Sequence, residues 1–133
     1  MYIKATAELP EVDLRFTDES GQWTGKGWIR GRVKYGAVAE LFRKISEHLT
    51  NEFLNPQGTS YEIDIKLIDY DSSVHGPLTS LLELIGKFQK EGIKVRVIWL
   101  FDPRRQPQER DANFLLEKFG SWLMVEPTEN RDD

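Results

Sequence analysis

Asp69, Asp71, Ser72, Ser73 and His75 crowd into the run Leu67-Ile68-Asp69-Tyr70-Asp71-Ser72-Ser73-Val74-His75-Gly76-Pro77. Two hydroxyls beside two carboxylates offer three chemistries. A serine there can accept a phosphoryl group, because a loop hydroxyl is accessible and a following helix start favours negative charge. Asp69 and Asp71 oppose that charge, and the two effects together suit a reversible switch. The Asp69-Tyr70-Asp71 pattern also offers a carboxylate nucleophile and a Mg²⁺-binding pair, as a small phosphatase would use. His75 could act as a base toward Ser72, although no third group that would orient it is evident. Set beside these is ordinary helix capping by Asp or Ser, worth about 0.5–2 kcal/mol per cap.

Such groups need a strand and a helix to present them. Ile63, Ile65 and Leu67 alternate with Asp64 and Lys66, which predicts a strand over Tyr61–Ile68. Leu78, Leu81, Leu82, Leu84, Ile85 and Phe88 recur at helical spacing, with Pro77 tolerated in the first turn. Glu91-Gly92 ends that helix, and Lys94–Phe101 reads as a second strand. This strand, helix, strand order predicts a parallel pair whose carboxyl ends carry the functional loop. Upstream, Val12, Leu14 and Phe16 alternate as one strand, Asp18–Gly21 as a turn, and Gln22–Val33 as a looser arm weakened by Gly25, Gly27 and Gly31. Val38, Leu41, Phe42, Ile45, Leu49 and Phe53 place one helical stripe between Gly36 and Leu54, stopped by Asn55-Pro56-Gln57-Gly58. Downstream, a loop from Asp102 to Pro107 leads to a helix over Glu109–Phe119 and a short strand over Trp122–Val125. The expectation is a single α/β domain over residues 1–125, a mixed sheet with an N-terminal hairpin, and a mobile tail over residues 126–133.

Composition narrows the function. The chain has 133 residues, 39% hydrophobic and 30% charged, enough for one packed core. Its net charge of −4 argues against a dedicated nucleic-acid binder. With no Cys and only His48 and His75, thiolate chemistry and several-histidine metal sites are excluded, and neither cofactor nor metal is called for. The residues Met1–Pro10 lack a signal-like apolar run, and no stretch approaches the roughly 20 residues that span a bilayer, so a cytoplasmic protein is expected.

The stretch Ile63–Asp102, with Asp71-Ser72-Ser73 at a strand-to-helix junction, a leucine-rich helix and the Val95–Trp99 strand, resembles the SiaC-like regulatory phosphoproteins. The wider likeness runs from about Leu9 to Val125. It implies a fold similar to the STAS domain of anti-sigma factor antagonists, whose Asp-Ser-Ser-Gly loop Asp71-Ser72-Ser73 also resembles. The family's loop typically reads Asn-Thr-Ser-Ser, and ungapped register puts its phosphorylated residue on Ser72, with Ser73 second. Asp71 stands where that family has Asn, and Val74 where it has Ser. The resemblance implies a Ser/Thr kinase, a PP2C-type phosphatase and a diguanylate cyclase as partners, the cyclase being bound and activated by the unphosphorylated form. On this expectation the protein is not an enzyme, Asp69, Asp71 and His75 are neighbours in the switch loop, and Arg104 and Arg105 form a rim for the partner. A second alternative is a nucleic-acid or acidic-partner module over Trp23–Tyr35, where Lys and Arg interleave with aromatic rings.

Overall fold

A chain of alternating strands and helices whose consecutive strands lie side by side has few ways to pack, and this one takes the simplest. The computed structural model describes residues 1–16, 25–33, 38–54 and 60–128. These form β1 (Tyr2–Ile3), β2 (Glu11–Asp13), β3 (Gly25–Arg32), α1 (Val38–Leu54), β4 (Ser60–Asp69), α2 (His75–Lys90), β5 (Lys94–Phe101), α3 (Gln106–Phe119) and β6 (Leu123–Pro127), with a short 3-10 turn over Ser72–Val74 ahead of α2. One sheet carries the strands in sequence order. The β1–β2 and β2–β3 pairs are antiparallel, and β3 through β6 run parallel. The α/β class, the mixed sheet and the N-terminal hairpin expected from the sequence are therefore present.

The core forms between the sheet and the helices, and periodicity decides which residues enter it. All six apolar positions of the α1 stripe are buried, as are Leu78, Leu81, Leu82, Ile85 and Phe88 of α2. They meet Tyr61, Ile63, Ile65 and Leu67 of β4 and Val95, Val97 and Trp99 of β5. On the other sheet face Glu62 is 4% exposed. Its carboxylate accepts from Arg96 Nε at 2.8 Å and lies 3.4 Å from Lys26 Nζ, so the buried charge is paired.

Several boundaries differ from the sequence reading. The strand expected over Val12–Phe16 is β2 and stops at Asp13, whose carboxylate takes the Arg15 N–H at 3.2 Å, and beyond it Phe16 has a left-handed backbone, φ 56°, although Leu14 is still buried. The glycines expected to weaken the β3 ladder do so at Gly31, φ 133°, where the pairing with β4 slips register before Arg32, whereas Gly27 gives room: a Cβ on it would sit 2.7 Å from the Asp13 carbonyl oxygen and 2.9 Å from Leu14 Cδ2. Only glycine lets that hairpin close. Gly92, at φ 99°, supplies the left-handed stop expected after α2. α2 and α3 each begin three residues ahead of Leu78 and Glu109, where the sequence reading starts them, at His75 and Gln106. At the start of the tail expected from Glu126, β6 runs through Pro127 and the Thr128 N–H bonds the Phe101 carbonyl at 2.8 Å. The expected turn at Asp18–Gly21, the helix stop at Asn55–Gly58 and the last five residues lie outside the described residues. Among the described residues no helix is long and apolar enough to cross a membrane.

Candidate functional site

β4 delivers the candidate loop to the carboxyl end of the parallel sheet, and α2 carries the chain back. Between them Asp71 is the N-cap of the 3-10 turn: its Oδ1 accepts the Ser73 N–H at 2.9 Å and the Ser73 hydroxyl at 2.5 Å. Those two bonds, the hydroxyl's first, hold the Asp71 carboxyl below the usual carboxylate range. Capping is thus real at this junction, and it ties down Asp71 and Ser73. Ser72 is exposed, and its hydroxyl has no partner among the described residues. Asp69 is exposed at the end of β4, where its carbonyl accepts the Val33 N–H at 3.0 Å.

His75 has a partner that the sequence did not reveal. Its Nε2 lies 3.2 Å from Asp111 Oδ2 on α3, and the Tyr70 hydroxyl donates to the same oxygen at 2.8 Å. Asp111 therefore joins the loop after β4, the start of α2 and the first half of α3. Burial, then the bond to Asp111, pushes the Tyr70 phenol far above its ordinary value. The sign follows from linkage. A phenol that holds its proton more tightly in the folded state contributes stability in full below the unfolded value of about 10, and loses it as pH rises beyond that. Tyrosinate absorbance developing by about pH 11 is accordingly expected to be equal in the native protein and in Tyr70→Phe. An amplitude reduced in Tyr70→Phe would show that the phenol titrates normally.

Arg104 and Arg105, the expected rim, both pair with Asp102, Arg105 through Nε at 3.8 Å, and differ in what else they reach. Arg104 turns back on its own loop, with Nε 2.9 Å and Nη2 3.1 Å from the two oxygens of Asp102. Arg105 reaches across to the strand end, its Nη1 3.3 Å from the Ile68 carbonyl, which Gln108 Nε2 also bonds at 3.2 Å. The β5–α3 loop is thus held beside the serine loop. Next to both opens a groove of about 680 Å³ between α2 and α3, lined among others by Tyr70, His75, Trp99, Asp111 and Phe114. No sequence signal marked the groove. Phe114 and Leu115 read as one helix's apolar positions, and nothing local says which of them a neighbour covers.

The alternatives fare unevenly. One oxygen of Asp71 already accepts two bonds from Ser73, a structural use that an Asp-x-Asp metal site would have to displace. Among the described residues no group of three or more His, Asp and Glu side chains could hold a metal ion. Of the Trp23–Tyr35 segment, Trp23, Thr24, Lys34 and Tyr35 lie outside the described residues. Trp28 donates Nε1 to Glu11 Oε1 at 2.9 Å, Arg30 pairs with that same carboxylate at 3.1 Å, and Lys26 with Glu62. These two basic side chains are engaged within the fold.

Comparison with known proteins places this geometry. In the crystal structure of the diguanylate cyclase SiaD in complex with its activator SiaC, from Pseudomonas aeruginosa, one chain superposes with a TM-score of 0.76 at 19% identity, over 96% of this chain and 99% of that one. A structure of SiaC from the same organism gives 0.73 at 18% identity over 96% and 98%, and apo-SiaC gives 0.68 at 19% over 95% and 97%. At such identities the likeness establishes a shared fold. Among curated proteins no sequence matches. The family model for SiaC family regulatory phosphoproteins matches residues 3–125, almost the whole described chain, and the protein therefore belongs to the SiaC family of regulatory phosphoproteins.

Proposed function

We propose that this protein is a non-enzymatic switch of the cytoplasm whose unphosphorylated form binds and activates a diguanylate cyclase, and whose phosphorylation at Ser72 releases it. The observation that carries the reading is the exposed Ser72 hydroxyl, unengaged among the described residues, at the β4–α2 junction of a SiaC family chain. The likeness to a chain of the SiaD–SiaC complex supports a cyclase as the partner. A Ser/Thr kinase and a PP2C-type phosphatase would set and reset the switch. No cofactor or metal takes part.

Phosphorylation acts by charge. It adds about −1.5 to −2 units at pH 7 where Asp69 and Asp71 already stand. A doubly charged phosphate about 6 Å from one partner carboxylate costs about 1.4 kcal/mol at the dielectric of water and about 5.5 at an effective value near 20. Either figure lowers affinity by about tenfold or more. Asp71 is held by Ser73 and serves to orient the loop, and Ser73 is the second candidate acceptor.

The test titrates the purified full chain into the diguanylate cyclases of its own genome, reading heat of binding and cyclic di-GMP synthesis. One cyclase is expected to bind and to be stimulated, with both effects lost after phosphorylation. Absence of binding by every cyclase, or Mg²⁺-dependent release of phosphate from a simple phosphomonoester that Asp69→Asn abolishes, overturns the reading.

A further inference from the structure

β6 ends the sheet on its parallel side, and among the described residues no strand pairs with its outer edge. Register tells which backbone groups that edge presents. The Val97 N–H bonds the Trp122 carbonyl at 3.1 Å and the Thr128 N–H bonds the Phe101 carbonyl at 2.8 Å, so the even-numbered residues of β6 turn their backbone groups toward β5. Leu123 and Val125 therefore direct their N–H and C=O groups outward. An edge of this kind is a template for another strand unless charge or proline blunts it, and Leu123-Met124-Val125 holds neither. Pro127, farther along, has no N–H to offer.

The side chains about that edge are apolar in both layers. Leu123 enters the core on the helix side, so Met124 stands on the opposite face of the sheet, where it is 42% exposed. Ala112, Leu115 and Phe119 seat α3 on the sheet, and Phe114 turns toward α2. Leu116 follows Phe114 by two positions, about 200° around the helix, which puts it on the flank over the outer edge of β6. It is 43% exposed.

We infer that β6 pairs antiparallel with β6 of a second copy of this chain, about a two-fold axis at Met124, joining two six-stranded sheets into one. A strand edge complements itself when the copy is reversed, which is what an isologous interface requires. The outward groups select the register. Opposing Leu123 to Val125 of the other copy satisfies every outward N–H and C=O of those residues and leaves Pro127 beyond the pairing. It also sets the two Met124 side chains against each other as a non-hydrogen-bonded pair, where opposed side chains approach most closely. Centring the pair on Val125 instead would ask Pro127 for an N–H that it lacks and would set Glu126 against Met124. Leu116 of each copy covers the joint from the helix side. Because the paired strands run in opposite directions, the two Ser72 loops lie at opposite ends of the joined sheet, each open to its own partner.

The chain has no cysteine, so one introduced thiol reports the register. Met124→Cys is expected to give a disulfide-linked dimer under mild oxidation, because non-hydrogen-bonded partners stand about 4.5 Å apart at Cα, within disulfide reach. Glu126→Cys, displaced from the axis by two residues in each copy, is expected not to crosslink. In sedimentation of the full chain the native mass should fall from dimer to monomer on dilution. Met124→Lys and Leu116→Lys are each expected to raise the dissociation constant by about tenfold or more with the thermal midpoint unchanged. Leu54→Lys, the same kind of change on exposed α1 surface, should stay within about twofold. A native chain that sediments as a monomer at every concentration overturns the inference. So does a dimer that Met124→Lys leaves intact and Met124→Cys fails to lock, since the second copy would then sit elsewhere. Cyclase binding enters none of these readouts, so the function proposed above stands or falls separately.

Discussion

Ser72→Ala is expected to abolish phosphate incorporation by the cognate kinase, whereas Ser73→Ala retains it, as read by intact mass and phosphopeptide mapping. Ser73 spends its hydroxyl on the Asp71 cap, and a kinase taking it would have to break that bond and unwind the first turn. Ser72 carries no such constraint among the described residues. Ser72→Glu is expected to weaken cyclase binding by about threefold or more, because its single charge feels half the repulsion worked out above for a phosphate, with a further weakening at low salt where exposed charges are less screened. Incorporation confined to Ser73, or a Ser72→Glu variant that binds like the native chain, would remove Ser72 from the switch.

Leu82→Ala is expected to destabilise the fold by about 2–5 kcal/mol, lowering the thermal midpoint by on the order of 10 °C. Leu82 is fully buried under α2, where it helps fix the helix that begins beside the serine loop. Truncation there leaves a cavity that the packed layer cannot fill. Leu54→Ala is the contrasting case. Leu54 ends α1 at 72% exposure, and its truncation should change stability by less than about 0.5 kcal/mol. Denaturant unfolding of the two variants measures both. Equal losses would mean that α2 is not seated on the sheet as described.

These two leucines mark the boundary of what a linear pattern conveys. Leu82 belongs to a stripe that repeats at helical spacing, and its burial followed from that repeat. Leu54 ends the neighbouring helix beyond its own stripe and faces outward. Apolar spacing by itself missed the first turn of α2, which only Pro77 signalled. His75, Gly76 and Pro77 bury no apolar side chain, so periodicity begins only at Leu78. The early end of β2 was hidden too, because alternation through Phe16 takes no account of the left-handed backbone at that residue.

By itself the sequence determined the α/β class, the register of the buried faces and the Asp71-Ser72-Ser73 junction, since alternation, helical spacing and capping are properties of near neighbours along the chain. Only the tertiary structure decided that His75 meets Asp111, that Tyr70 shares that carboxylate across 41 residues, that Arg105 reaches Ile68 while Arg104 folds back, and that a groove opens between α2 and α3. Each of those depends on which helix comes to rest beside which strand end. That choice is made by packing over the whole sheet, and no local run of residues encodes it.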